Sequence, residues 1–194
     1  MDTTEIDALD RADMTRLVAG HEAALDDIMD RHAKAVFHFL CRMLGGEEEA
    51  EDLAQETFVR VYRARDSYRS THRFSTWLFT IAANLARNRL RWRHRHPNVS
   101  LEAESPSTGQ SLGDTLPGNE APPHADIQAA ERAAHVRAAV AALPVDLREA
   151  ITLCEWEEMA VADAARVLRC TPKAVESRLY RARQILRDRL ARWL

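Results

Sequence analysis

The 194 residues carry 27 Lys and Arg against 30 Asp and Glu, for a formal charge of −3, and are 46% hydrophobic but only 6% aromatic, with six glycines. That is the composition of a globular, mostly helical chain with room for one large or two small domains, and no apolar run approaches the roughly 20 residues a bilayer span needs. The charge is segregated: residues 1–60 hold 15 acidic against 6 basic side chains, 61–100 hold 1 against 9, 101–126 hold 5 against none, and 127–194 hold 9 against 12, a pattern that suggests separate surfaces for protein and for nucleic acid.

The opening MDTTEIDALD is acidic without an apolar core, so it is no signal peptide, and the chain is expected in the cytoplasm. From about Met14 to Leu44 the spacing predicts one or two helices. Leu25, Ile28, Met29, His32, Val36, Phe39, Leu40 and Met43 form a continuous stripe that Gly45-Gly46 ends. His32 falls on that stripe as a core or boundary histidine. Cys41, among Phe39, Leu40 and Met43, reads as a small buried hydrophobe. With Cys154 and Cys170 it gives an odd, scattered set of thiols that argues against a disulfide framework or zinc knuckle.

Two amphipathic helices follow. The first, about Glu47 to Arg65, turns Ala50, Leu53, Ala54, Phe58, Val61 and Tyr62 inward and leaves Asp52, Gln55, Glu56 and Val59 on an acidic, partly apolar outer face. The second, about Phe74 to Arg95, turns Phe74, Trp77, Leu78, Ile81, Leu85 and Trp92 inward. Asn84, Arg87, Asn88, Arg91 and Arg95 then form one stripe at i, i+3, i+4, i+7 and i+11, with almost no acidic residue beside them. Arg presents a planar fork to phosphate or guanine, and Asn can pair bidentately with adenine, so this stripe suits nucleic acid. A solvated helix face is the alternative. His94 and His96, the nearest pair of histidines, have no carboxylate or thiolate beside them, so no metal site is expected.

Residues 97–126 are rich in Pro, Gly and Ser, lack basic side chains and read as a flexible or extended linker. A second helical unit spans 127–194. Helices are expected through Glu131 to Leu143 and Leu147 to Trp156, then a short one carrying Val161, Ala165 and Leu168. Thr171-Pro172 supplies an N-cap and first-turn proline to a last helix that buries Val175, Leu179, Ala182, Leu186 and Leu190. Two helices so closely joined form a helix-turn-helix, and Lys173, Arg178, Arg181, Arg183 and Arg187 suit its second helix to a major groove. The expected fold is all-α: helical domains at 1–96 and 127–194 joined by the 97–126 linker.

The stretch AEDLAQETFVRVYRARDSYRSTHRFSTWLFTIAANLARNRLR resembles region 2 of bacterial sigma factors of the extracytoplasmic-function (ECF) group, through its D-x-x-Q-E-x-F and F-x-T-W-L-x-x-I-A-x-N runs. The C-terminal Val175, Ser177, Arg178, Arg181, Ala182 and Arg183 resemble the core of region 4. The resemblance implies that Asp52, Gln55, Glu56 and Val59 dock on the clamp helices of RNA polymerase core. It implies that Tyr68, Asn84, Arg87, Asn88 and Arg91 hold the minus-ten strand, and that Lys173, Ser177, Arg178 and Arg181 read the minus-thirty-five element while the second domain meets the polymerase flap. It also implies an anti-sigma partner, and no enzymatic activity, cofactor or small-molecule substrate. Three departures stand out: Glu176 where the family has a basic residue, Arg169 where the turn has Gly, and Lys173-Ala174 for Gly-Thr. A free-standing helix-turn-helix regulator is the alternative. An enzyme acting on nucleic acid would need clustered carboxylates or a His-based site, and the sequence presents neither.

Overall fold

The computed structural model describes residues 3–96 and 123–191, with side chains for 4–96 and 131–191. Among the described residues every regular element is helical: α1 (Thr3–Val18), α2 (Ala23–Leu44), α3 (Glu47–Arg63), α4 (Phe74–Arg95), α5 (Pro123–Ala141), α6 (Val145–Ile151), α7 (Val161–Leu168) and α8 (Pro172–Leu190). Short turns at Arg65–Ser67 and a wide π turn at Thr152–Trp156 complete the set. Of the expected linker, 97–122 lie outside the described residues, and Pro123–Asp126 open α5.

In the first domain α2 is the spine. Ala24, Ile28, Val36, Phe39, Leu40 and Met43 are buried along it, and α1, α3 and α4 pack around it. Phe39 meets Phe79 of α4 edge-on at 5.4 Å, a geometry that adds about 0.5–1.5 kcal/mol to simple burial. Gly45, at φ 78°, adopts the left-handed conformation that lets its N–H close on the Cys41 carbonyl, so the helix ends where the glycine pair stands. The N-terminal helix departs from expectation: it begins at Thr3, not near Met14. Its apolar contribution is small, chiefly Met14 and Leu17. What pins the helix is tertiary: Asp10 and Asp13 are buried against Arg31 and His32 of α2.

In the second domain α8 packs on α5, α6 and α7. Thr171 caps α8 by accepting from the Ala174 N–H at 3.2 Å, with Pro172 in the first turn, as its sequence predicts. Arg169 closes α7 at φ 52°, a left-handed position without a glycine. The two domains also pack on one another: α4 lies against α7, and α2 against α5, α6 and the π turn, so one contiguous apolar core runs through both. Leu44 and Leu85 belong to it alongside Leu143, Val167 and Leu168.

Candidate nucleic-acid interface

The outer face of α3 is built by a one-turn repeat. Asp52, Gln55 and Val59 are exposed, and Glu56 is half-buried with its carboxylate on Arg60 Nε at 2.7 Å. Val59 keeps 40% of its surface in water, an apolar residue on an acidic face. Glu47, Glu48 and Glu49 fill the first turn, where the helix dipole favours negative charge.

Between α3 and α4 lies an open cleft of about 460 Å³, lined by Glu56, Arg60, Arg63, Ala64, Ile81 and Asn84. Its lining combines the apolar Ala64 and Ile81 and the Asn84 amide with the Arg60 and Arg63 guanidinium groups and the Glu56 carboxylate. Asn84 therefore faces the same space as Arg60 and Arg63, which a reading of the α4 stripe alone does not find. Arg60 and Arg63 stand i, i+3 on α3 just beyond the acidic face, and that spacing is the signal.

The α4 stripe itself is divided. Asn88, Arg91 and Arg95 are exposed. Arg87 is only 20% exposed and all three of its nitrogens are engaged: Nε with Glu149 Oε1 at 2.5 Å, Nη2 with the Val167 carbonyl at 3.2 Å, and Nη1 with Asn84 Oδ1 at 3.0 Å. On the other side of α4, Arg89 and Arg93 share Glu49. The expectation that the stripe lacks acidic partners is therefore corrected at Arg87, whose partner comes from an element distant in sequence. The inward face is also broader than expected. Thr76, Phe79, Ala82, Ala83 and Ala86 are buried as well, while Trp92 is exposed and stacks on His96 at 4.8 Å. A helix covered by its own domain and by α7 needs a wide apolar face, and alanines keep it narrow in cross-section.

Tyr68 follows the short turn after α3. Its ring is half-buried, 5.9 Å from Phe74 and 5.4 Å from Trp77, and its hydroxyl lies 3.4 Å from the His72 carbonyl. Burial, with Asp7 nearby, pushes its phenol upward. The ring braces the loop and shares an edge with it, and Trp77 joins the apolar cluster as expected.

On α8, Lys173, Glu176, Ser177, Tyr180 and Arg181 are exposed on one face. Arg178 is half-buried and turned toward Asp146 (3.5 Å) and the Cys170 sulfur (3.7 Å), away from that face. Arg183 pairs with Glu155. Tyr180, 65% exposed, is an aromatic that sequence reasoning passed over, although it stands i+3 from Ser177 and i+7 from Lys173.

This arrangement has relatives. Residues 28–96 match the family model of Sigma-70 region 2, and residues 134–186 match that of Sigma-70, region 4. The chain is 33% identical over 171 residues to the RNA polymerase sigma-H factor of Pseudomonas aeruginosa, covering 88% of each. The chain belongs to the sigma-70 family, in its ECF group. It is 31% identical to the ECF RNA polymerase sigma factor SigW of Bacillus subtilis, over 88% of this chain and 91% of that one. Among solved structures, this sigma factor is similar to CnrH in complex with the cytosolic domain of CnrY, with a TM-score of 0.69 and 26% identity over 94% and 97% of the two chains. It is also similar to RpoE of Bartonella quintana bound to the anti-sigma factor NepR, with a TM-score of 0.64 and 26% identity over 86% and 96%.

In this sigma factor the region 2 match runs from within α2 through α4, and the region 4 match runs from within α5 into α8. α1 precedes both matches. No helix among the described residues is long and apolar enough to cross a membrane.

Proposed function

We propose that this alternative sigma factor, which directs RNA polymerase to promoters, divides the task among three helices. The exposed face of α3 docks on the polymerase clamp helices through Asp52, Gln55, Glu56 and Val59. α4, its cleft and the preceding loop hold the minus-ten strand through Tyr68, Asn84, Arg87, Asn88 and Arg91, and the exposed face of α8 reads the minus-thirty-five element through Lys173, Ser177 and Arg181. Arg178 contributes from the flank by fixing α8 against Asp146. The domain boundaries near 96 and 127 follow the same division. The protein works in the cytoplasm as a binding factor without catalysis of its own, under an anti-sigma partner that covers its two domains.

The observation that carries this reading is the adjacency of opposite surfaces. An acidic face on α3 and a cationic, amide-bearing cleft toward α4 stand side by side, so a protein partner and a polyanion can be held together. Opening a duplex needs a base removed from its stack, at a few kcal/mol. A cleft that offers apolar contact at Ala64 and Ile81 and an amide edge at Asn84 can offset part of that cost. Two domains reading two elements on one DNA raise each other's effective concentration.

Run-off transcription with purified bacterial core polymerase on upstream fragments from the source genome tests the reading. Defined transcripts that require the protein, and are lost with Asp52→Arg plus Glu56→Arg, support it. Tight sequence-specific binding to duplex DNA by the protein alone, with no such transcripts, points instead to a free-standing regulator.

A further inference from the structure

The first turns of α8 expose a single carboxylate. Glu176 stands among Lys173, Ser177, Tyr180 and Arg181, on the exposed face of a helix that starts at Pro172. The aim of that face is fixed. Val175, Leu179 and Ala182 are buried beneath it, Thr171 caps its start, and Arg178 on Asp146 and Arg183 on Glu155 hold its flanks. Glu176 itself takes no hydrogen bond or ion pair among the described residues, although Lys173 stands one turn before it. By contrast Asp146, Glu155 and Asp163 nearby each hold an arginine.

A free carboxylate is an acceptor only, and beside DNA every phosphate repels it. Phosphate contact is therefore closed to Glu176, and a position facing base edges is where it gains. Residues near the N-terminal end of a helix in the major groove are those that meet base edges. The donors there are the amino groups at cytosine N4 and adenine N6. The adenine amino group lies between two acceptors, its own N7 and the thymine O4, and both oppose a carboxylate. The cytosine amino group has an acceptor on one side only, the guanine O6. A carboxylate therefore selects cytosine.

We propose that Glu176 is a specificity-determining residue, which accepts a hydrogen bond from a cytosine amino group in the major groove. This sigma factor then requires a C·G pair at one position of its upstream promoter element. The proposal rests on the reading of α8 given above and names a base for it. Lys173 and Arg181 on either side supply the attraction to phosphate that offsets the repulsion of the carboxylate. A carboxylate left in solvent, or one that meets the polymerase, is the competing view, and it predicts no dependence on a single base pair.

The test uses the full chain with purified core polymerase. The template pool is a promoter that run-off transcription defines, randomised across the segment upstream of the minus-ten element. Barcoded transcripts are counted for wild type, Glu176→Ala, Glu176→Gln and Arg181→Ala. One position is expected at which wild type favours cytosine on one strand over each other base by roughly ten-fold, the discrimination of one good base contact. Glu176→Ala should flatten that preference to below about two-fold, and Glu176→Gln, which offers a donor as well as an acceptor, should turn it toward adenine. A carboxylate acting only through its charge cannot produce that turn. Unchanged preferences in both Glu176 variants, with Arg181→Ala altering the selected sequence, overturn the proposal and leave α8 as the reader. A change of activity equal across all sequences also overturns it, and marks a general electrostatic or polymerase contact. Should Arg181→Ala leave the selected sequence unchanged as well, α8 does not read DNA, and the reading beneath the proposal falls with it.

Discussion

His32 Nε2 lies 2.9 and 2.8 Å from the two carboxylate oxygens of Asp10, across 22 residues and with both side chains nearly closed to water. Arg31 reinforces the pair by reaching Asp10 at 3.0 Å and Asp13 at 2.6 Å. His32 also packs 5.3 Å from Phe74, so the ring joins α1, α2 and the start of α4. Removing one member strands buried charge on the others. Asp10→Ala should therefore lower the unfolding free energy by roughly 3–5 kcal/mol, read as a fall in the urea midpoint. A loss under about 1 kcal/mol would show that water reaches Arg31 and His32 without Asp10.

Arg169 occupies a left-handed position at φ 52° where an L side chain crowds the following carbonyl. The side chain is exposed and has no contact that argues for it. Arg169→Gly should raise stability by about 1 kcal/mol, as a rise in melting temperature, while Thr171→Ala two residues later should cost about 1 kcal/mol through loss of the cap on Ala174 N–H. Effects of opposite sign from neighbouring positions of one turn make a stringent pair.

Glu157 is raised from 4.5 to about 7 by burial, which outweighs the nearby Arg42 cation. The remaining groups lining its groove are Arg31, Lys34 and His38, the last lowered by its own burial and then by Arg42 and Lys34. A carboxyl raised in the folded state contributes stability that is complete below about 4.5 and gone once pH passes about 7. His38, lowered, works in the opposite direction over the same range. Urea midpoints at several pH values between 5 and 7.5, for wild type and Glu157→Gln, separate the two. The stability of wild type relative to the variant should fall by roughly 1–3 kcal/mol as pH rises through that window. A constant difference would mean that Glu157 stays hydrated.

The Cys41 thiol is pushed up to about 11 by burial and by Glu47. Half-buried rather than fully enclosed, it is reachable but almost never a thiolate near neutrality, and the thiolate is the reactive form. Iodoacetamide at pH 8 should modify Cys41 at least ten-fold more slowly in the native protein than in the urea-unfolded chain, as followed by peptide mass analysis.

Much of this was readable from local signals. The Gly45 stop, the Thr171-Pro172 start and the outer face of α3 each depend on residues within one or two turns, and each stands where its spacing puts it. Tertiary partners were the part that spacing could not supply. α1 extends to Thr3 because Arg31 and His32 receive its aspartates, although its own apolar periodicity is poor. Spacing leaves Arg87 without an acidic neighbour because Glu149 lies 62 residues away. The same distance hid Arg148: read alone, it is one more surface arginine on a short helix.

Arg148 caps the end of α2 by donating to the Met43 carbonyl, and this gives the chain a history as well as a shape. Synthesis runs from the amino end, and Arg148 follows His96 by 52 residues. At typical elongation rates of about 5–20 residues per second, the first domain exists for roughly 3–10 seconds before its cap is made. During that interval Arg87 has no Glu149, and the flank of α4 that will meet α7 faces water. A nascent chain thus exposes Arg87 and this flank of α4 first, and covers them only after some fifty further residues have been made.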